Sequence, residues 1–167
     1  MSQLELLDLA QTFPLASAVI ERAIGPPPRG LATAESCTGG LVAAALTATP
    51  GSSAAFLGGV VAYANRAKEE ILGVPPSLIA AHGAVSQEVA LAMAEGARAR
   101  FGSDLAVATT GVAGPAASEA KPAGLIFVAV AGPKATEVVR LDEDRGRRLN
   151  SLGAVNAALA LLLRALD

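Results

Sequence analysis

A run of six consecutive residues concentrates the reactive groups of this 167-residue chain. It holds a carboxylate, a hydroxyl, the only thiol, a second hydroxyl and two glycines, in the order Glu35, Ser36, Cys37, Thr38, Gly39 and Gly40. A short apolar segment precedes the run and an alanine-rich segment follows it, which predicts a junction between a buried strand and a helix. Open α/β sheets bind ligands at such junctions, but serine and threonine also cap helices there. The run therefore indicates either a reactive site or a capped turn.

Two side chains of this run are candidate nucleophiles. The Cys37 thiol would need a histidine base, and His82 is the only histidine of the chain. Because cysteine is among the most often buried residue types, packing is the favoured role of Cys37. The Ser36 hydroxyl needs a group that accepts its proton, for which His82 and Lys68 are the candidates. The spacing matches neither a Walker loop nor a Gly-x-Ser-x-Gly elbow.

Lys68 has two readings. It acts as a base only if burial, or a neighbouring cation such as Arg66, lowers its pKa. In that case Tyr63, at the end of a predicted strand, would bridge Ser36 and Lys68 as a proton relay. Alternatively, Lys68 is one solvated charge in the run Arg66 to Glu70, and composition and spacing alone favour that reading.

A second polar stretch, Thr109–Pro115 ("TTGVAGP"), ends another predicted strand. Its small residues and backbone amides suit a phosphate or a carboxamide, although a loop that needs conformational freedom has the same composition. Arg145 would bring positive charge toward a phosphate. One histidine and one cysteine build no convincing metal site.

The composition narrows the class of protein. Hydrophobic residues at 52% and charged residues at 17% argue against disorder, while 3% aromatic residues and a net charge of −2 argue against nucleic-acid binding. A single cysteine fits a reducing cytoplasm. No signal peptide is evident, and the apolar run 154–163 is too short for a membrane span. We expect a cytoplasmic protein without membrane or nucleic-acid partners.

The elements that would position these groups alternate along the chain. Apolar patterns and turn residues predict strands at 31–34, 58–64, 104–110, 124–131 and 135–141. Helices are predicted at 38–47, 65–72, 75–81, 86–100 and 144–166, with a first helical segment at 4–23 that Pro14 bends or splits. This order predicts a single domain over residues 1–167, a three-layer α/β/α sandwich with a mixed, mostly parallel sheet.

Four long motifs resemble one family. The stretches "TAESCTGGL", "PGSSAAFLGGVVAYANRAKEEILGV", "HGAVSQEVALAMAEGA" and "TTGVAGP…KPAGLIFVAV" occur in the order found in the C-terminal domain of CinA (competence/damage-inducible) proteins. The resemblance runs from about residue 5 to the final helix. Stand-alone members of that family are nicotinamide-nucleotide amidohydrolases, also called NMN deamidases.

The resemblance implies an activity and a set of site residues. The family hydrolyses the carboxamide of nicotinamide mononucleotide (NMN) to nicotinate mononucleotide and ammonia, a salvage step of the pyridine nucleotides. Its serine nucleophile, tyrosine and lysine correspond to Ser36, Tyr63 and Lys68, and the scheme requires no metal or cofactor. The residues then expected around the substrate are Glu35, Cys37, Thr38, Gly39, Gly40, Thr110, Gly111, Gly114 and Arg145. Members of the family often self-associate, which carries over as an expectation of a homo-oligomer.

One loop departs from the family pattern. The family has Gly-Pro-Gly-Gly-Gly and further residues before Lys-Pro, whereas this chain has the shorter "GPAASEAKP" at 114–122. If that loop contacts the nucleotide, its altered backbone freedom would change either the affinity or the substrate scope. The departure also sustains the alternative that the chain is a non-catalytic accessory protein in competence or recombination. The joint presence of Ser36, Tyr63 and Lys68 favours the enzyme.

Overall fold

The computed structural model describes residues 8–133 and 136–167. The helices are α1 (Leu9–Thr12), α2 (Leu15–Ile24), α3 (Leu41–Thr47), α4 (Asn65–Leu72), α5 (Pro76–His82), α6 (Gln87–Phe101) and α7 (Arg147–Leu166), with a 3₁₀ turn at Ser52–Ala54. The strands are β1 (Leu31–Glu35), β2 (Phe56–Val61), β3 (Leu105–Gly111), β4 (Ile126–Ala131) and β5 (Thr136–Leu141). The helical prediction for residues 4–7 and the strand prediction for residue 135 lie outside the described residues.

The five strands form one mixed sheet in the order β2-β1-β3-β4-β5. β1 pairs in parallel with both β2 and β3, whereas β4 pairs antiparallel with β3 and with β5. Four of the five strands therefore point the same way. The chain leaves β1 toward β2 on one side and leaves β3 toward β4 on the other. Such a change of direction opens a crevice at the carboxyl ends of the two neighbouring strands.

Each face of the sheet carries its own hydrophobic core. On one face, large side chains such as Leu105, Val107 and Val128 pack against α2, α3 and α7. On the other, the alternate positions are alanines, such as Ala34, Ala106 and Ala129, and α6 packs on them. Side chains alternate between the two faces of a strand, so this alternation of large and small residues builds two unlike layers. The predicted α/β/α sandwich is confirmed.

Most predicted elements are present with shifted ends. Phe13 and Pro14 divide the first helical segment into α1 and α2, because proline has no N–H to continue a helix. The helix predicted from Thr38 begins only at Leu41, after a turn with left-handed glycines. The final helix begins at Arg147 and not at the predicted residue 144, and its N-cap is Gly146. Asp144 instead accepts hydrogen bonds from the Gly146 N–H and the Asn150 amide.

Helix α7 is long and apolar enough, by length and composition, to cross a membrane. The apolar run 154–163 is only the central part of this helix. Its apolar residues have partners within the fold: Val155, Leu159 and Leu162 are fully buried in the core against the sheet.

Two helical glycines differ in the space around them, which indicates how closely their helices pack. A Cβ on Gly96 of α6 would lie 2.0 Å from the Leu72 carbonyl oxygen at the end of α4, whereas a Cβ on Gly153 of α7 would have no heavy atom within 4 Å among the described residues. We expect Gly96→Ala to lower the free energy of unfolding by about 2 kcal/mol through overpacking. Gly153→Ala, the matched control, should raise it by up to about 1 kcal/mol through helix propensity. Urea unfolding of both variants measures this, and an equal effect would contradict the close α4–α6 packing.

Candidate active site

The carboxyl ends of the parallel strands β2, β1 and β3 surround one cavity. Ser36 follows β1 directly, Tyr63 lies two residues after β2, and Thr110 lies at the end of β3. All three line a cavity of about 210 Å³, together with Lys68 from the first turn of α4. The three predicted catalytic residues therefore meet at the crevice that the strand order creates.

The central contact joins Lys68 to Ser36. The Lys68 Nζ lies 3.3 Å from Ser36 Oγ and 3.2 Å from the Tyr63 carbonyl oxygen. The Ser36 N–H donates to the Thr109 carbonyl at 2.9 Å, which extends the pairing of β1 with β3 by one residue. The serine is thus held at the end of the sheet with its hydroxyl directed at an amine. A nucleophile within hydrogen-bond reach of a base is the arrangement that acyl transfer requires.

Lys68 is buried, with 2% of its surface exposed. Burial lowers the pKa of its amine below 10.5, because removal from water disfavours the charged form, and the Glu119 carboxylate partly opposes that effect. Arg66, the neighbour considered from the sequence, contributes an exposed ion pair with Glu70 at 2.6 Å. A lysine whose neutral form is favoured can accept a proton.

Tyr63 contributes its main chain. Its carbonyl accepts a hydrogen bond from Lys68, while the residue is 63% exposed at the cavity wall. The predicted relay through the Tyr63 hydroxyl is not required by this geometry, since Lys68 contacts Ser36 directly.

Cys37 and His82 do not form a catalytic pair. Burial raises the pKa of the Cys37 thiol to about 12, so the thiolate is scarce at neutral pH. The thiol packs beside the core that lies under α7. His82 lies on the surface at the end of α5, 3.7 Å from the Glu88 carboxylate, and is not part of the cavity lining. The favoured packing role of Cys37 agrees with this placement.

Glu35 was predicted to contact substrate, but its carboxylate is directed into the protein. It is 1% exposed and accepts hydrogen bonds from the Thr38 hydroxyl at 2.7 Å and from the N–H groups of Gly40, Val42 and Ala43 at 2.8–3.0 Å. These are the free N–H groups at the start of α3, which a carboxylate satisfies well. Glu35 therefore orders the turn that carries Ser36, and it is not among the residues that line the cavity.

The other polar groups of this turn also form hydrogen bonds within the protein. Thr38 Oγ1 shares a 2.7 Å hydrogen bond with the Thr109 hydroxyl, and the Gly39 N–H donates to the Ser36 carbonyl at 3.1 Å. Gly39 and Gly40, which were predicted to contact substrate, are not among the described residues that line the cavity; both adopt left-handed φ (61° and 98°) and shape the turn. Within residues 8–133 and 136–167, the N–H groups of Cys37 and Thr38 donate to no main-chain carbonyl.

Removing the Glu35 charge should destabilise the whole fold. Glu35→Gln replaces one acceptor oxygen by an NH₂ group that faces N–H donors, so we expect the free energy of unfolding to fall by about 3 kcal/mol. Glu95→Gln, on the exposed side of α6, is the matched control and should change it by less than about 0.5 kcal/mol. Urea unfolding with far-UV circular dichroism measures both. Equal stabilities would show that the carboxylate does not hold the turn.

The polar stretch Thr109–Pro115 contributes a further part of the cavity wall. Thr110, Gly111 and Gly114, which were predicted to contact substrate, all line the cavity. The Thr110 hydroxyl donates to the Ala84 carbonyl at 2.7 Å, which fixes the segment between α5 and α6. A Cβ on Gly111 would lie 2.5 Å from Ile126 Cγ1, so only glycine permits the pairing with β4 at this point.

The positive charge at the cavity comes from Arg147 and not from the predicted Arg145. Arg147 is the first residue of α7 and lines the cavity, whereas Arg145 borders a different surface depression. Buried Asn150 sets this start of the helix: it accepts the Arg145 N–H at 2.8 Å and donates to the Ala113 carbonyl at 2.9 Å. Ser151 then donates to the Cys37 carbonyl at 3.1 Å. The start of α7 is thereby attached to both walls of the site.

Sequence reasoning also missed the side chains that close the cavity. Asn65, Ser118 and Glu119 line it, and Lys121 donates to the His82 and Val85 carbonyls. Two backbone hydrogen bonds close the turn from Ser118 to Lys121. The long reach of Lys121 to main-chain acceptors leaves no pattern in the sequence. No group of three or more His, Cys, Asp or Glu side chains suited to a metal ion occurs in the described part of the chain.

Comparison with known proteins agrees with this architecture. The CinA C-terminal domain family matches residues 15–166. A CinA-like protein of Synechococcus sp. (strain CC9902) is 48% identical over 154 residues, covering 90% of this chain and 37% of that protein. A CinA-like protein of Anaeromyxobacter sp. (strain K) is 55% identical over 139 residues, covering 80% and 34%. The chain thus spans about a third of the length of these relatives.

Solved structures match over nearly the full length. The competence/damage inducible protein CihA from Agrobacterium tumefaciens superimposes with a TM-score of 0.86 at 41% identity, covering 99% of each chain. A CinA superfamily protein from Escherichia coli gives a TM-score of 0.88 at 33% identity, covering 98% of this chain and 95% of that one. With the family match over residues 15–166, these likenesses show that the chain belongs to the CinA C-terminal domain family.

Proposed function

We propose that the protein hydrolyses the carboxamide of nicotinamide mononucleotide, with Ser36 as nucleophile and Lys68 as base. The observation that carries the proposal is the contact of the buried Lys68 amine with Ser36 Oγ at 3.3 Å. Burying a lysine amine costs free energy, because the charged form loses its hydration. An accessory protein would gain nothing from that cost, whereas an enzyme would use the amine as a base toward the hydroxyl. The family's amidohydrolase activity supplies the substrate class.

The chemistry follows from the positions of these groups. Neutral Lys68 takes the Ser36 proton as Oγ attacks the carboxamide carbon, and the carbonyl π electrons move to the oxygen. The N–H groups of Cys37 and Thr38, next to the nucleophile, are the donors for that oxyanion. The Lys68 ammonium then protonates the amide nitrogen, the C–N bond breaks and ammonia leaves. Water attacks the acyl ester with Lys68 again as base, which releases the acid and restores Ser36.

The cavity suits the ring of the substrate better than the whole nucleotide. A cavity of about 150 Å³ holds a benzene molecule, so about 210 Å³ accommodates a pyridine ring with its carboxamide. The ribose phosphate would then extend along the wall toward Arg147. The guanidinium and the N-terminus of the 20-residue helix α7 favour an anion there.

The direct test is turnover by the purified protein. Incubation with NMN should release ammonia and nicotinate mononucleotide in equal amounts, measured by a coupled ammonia assay and by chromatography. Free nicotinamide, which lacks the phosphate, should react much more slowly. Binding of NMN without any product would contradict the proposal and would favour the alternative, a non-catalytic accessory protein of the kind that the relatives' competence-related names suggest.

A further inference from the structure

Glu119 is the only acidic side chain among the described residues that line the reaction cavity. The two basic ones are Lys68 and Arg147. Burial lowers the pKa of Lys68, and the mechanism proposed above uses its neutral amine; beside that amine the cavity lining holds one carboxylate and one guanidinium. A ligand that carries a cation at one end and an anion at the other is complementary to this pair.

The Glu119 carboxylate is held in place by its surroundings. Its Oε2 accepts the Ala84 N–H at 2.9 Å, and a Cβ on Gly83 would lie 3.2 Å from the same oxygen. On the same segment, Lys121 Nζ donates to the His82 and Val85 carbonyls. The carboxylate and the lysine therefore attach the turn Ser118–Lys121 to the wall between α5 and α6.

The turn adopts a conformation that its residues do not favour. Glu119 and Ala120 have φ of 51° and 58°, in the left-handed region that glycine or asparagine normally occupies in such turns. Hydrogen bonds between the Ser118 and Lys121 main chains close the turn at 2.8 and 3.0 Å. Strained backbone that the surroundings maintain is typical of functional sites, and here it brings a carboxylate to the cavity wall.

We propose that Glu119 recognises the positive charge of the substrate's pyridinium ring and so selects oxidised pyridinium nucleotides over uncharged amides. The inference rests on the proposed function. With the carboxamide carbon at Ser36 Oγ, the attached ring would lie inside the same cavity of about 210 Å³, whose lining includes Glu119. The charge of Glu119 also reaches the amine beside Ser36, since it partly opposes the lowering of the Lys68 pKa.

The test compares two ligands of nearly equal shape: NMN, whose ring is cationic, and its reduced dihydropyridine form, whose ring is neutral. Dissociation constants are measured by calorimetry in a Ser36→Ala background, so that no turnover interferes. We expect the background variant to prefer NMN. Adding Glu119→Gln should reduce that preference by about threefold to tenfold, with little change for the reduced form. Glutamine at position 119 keeps an oxygen that can accept the Ala84 N–H. The control is Glu88→Gln, which removes a carboxylate beside His82, outside the cavity lining, and should leave the preference for NMN unchanged.

Three results would overturn the inference. An equal loss of affinity for both ligands would assign Glu119 a purely structural role or a contact with the carboxamide. An unchanged preference in the Glu119→Gln variant would show that ring charge is not read at this residue. If the Ser36→Ala background binds neither nucleotide, the proposed function itself fails, and the inference fails with it.

Discussion

Ser36→Ala is expected to abolish NMN deamidation, with kcat reduced by about 10³-fold or more while NMN still binds. The hydroxyl is the atom that forms the acyl ester, and its loss leaves water as the only nucleophile. The residue is 8% exposed at the end of β1, and its main chain is fixed by the Thr109 carbonyl. Removal of one oxygen should therefore leave the fold intact. Ammonia release under saturating NMN measures kcat, and calorimetry measures binding.

The matched control is Cys37→Ala at the neighbouring position. Burial raises the pKa of the thiol to about 12, and its lost packing should lower stability while turnover stays within about threefold of wild type. Mass spectrometry adds a second readout, since quenched wild-type reactions should show an acyl adduct on the peptide that contains Ser36. An active Ser36→Ala variant together with an inactive Cys37→Ala variant would move the chemistry to the thiol.

The layered fold was predictable because it follows from the order of elements. The first three apolar segments are separated by helical ones, and the turn residues Gly132 and Pro133 between the last two segments predict the antiparallel pair β4–β5. Ser36 could be placed at the end of a strand, which is where an α/β sheet exposes its ligand site. The shifted ends have local causes: the turn through Gly39 and Gly40 delays α3, and contacts of Asn150 set the start of α7.

The roles of individual side chains were harder to predict, because they depend on which groups each side chain meets in the folded protein. A carboxylate after a strand has the same sequence signature whether it binds a ligand or caps a helix, so the role of Glu35 required its hydrogen-bond partners. Arg145 and Arg147 are two residues apart, and only the position of the Gly146 cap decides which one lines the cavity. Glu119 lies in a loop where the resemblance to the family breaks down.

Lys68 is the instructive case, since the charge run around it predicts a solvated helix face. The helix divides that run by its period: Arg66 and Glu70 lie four residues apart and pair in solvent, while Lys68 and Leu72, also four apart, are buried. The signal in the sequence was that Lys68 lies four residues before the apolar Leu72. It indicates which face Lys68 occupies but not that a hydroxyl from β1 meets it there.

Replacing Lys68 should therefore remove catalysis and change the pH dependence of stability. Lys68→Met is expected to lower kcat/KM for NMN by about 10²-fold to 10⁴-fold, the usual contribution of a positioned base. Lys68→Arg should be equally impaired, because a guanidinium keeps its proton at any working pH. Wild-type kcat/KM should rise with pH through the lowered pKa of Lys68, below 10.5, and the variants should lack that rise. Arg66→Met, which alters an exposed ion pair on the same helix, is the control and should keep both rate and profile.

The same buried amine gives a stability signature that is independent of turnover. Burial lowers the pKa of Lys68 in the folded state, so between that pKa and about 10.5 the unfolded chain binds more protons than the folded one. Wild-type stability should accordingly rise with pH across that window, and below it the protonated, buried amine weakens the fold. Lys68→Met lacks this term, so its stability advantage over wild type should be largest at the low end of the window and shrink as pH increases. Urea unfolding at several pH values measures the difference. A constant difference, together with normal activity of Lys68→Met, would show that Lys68 carries its proton throughout and is not the base.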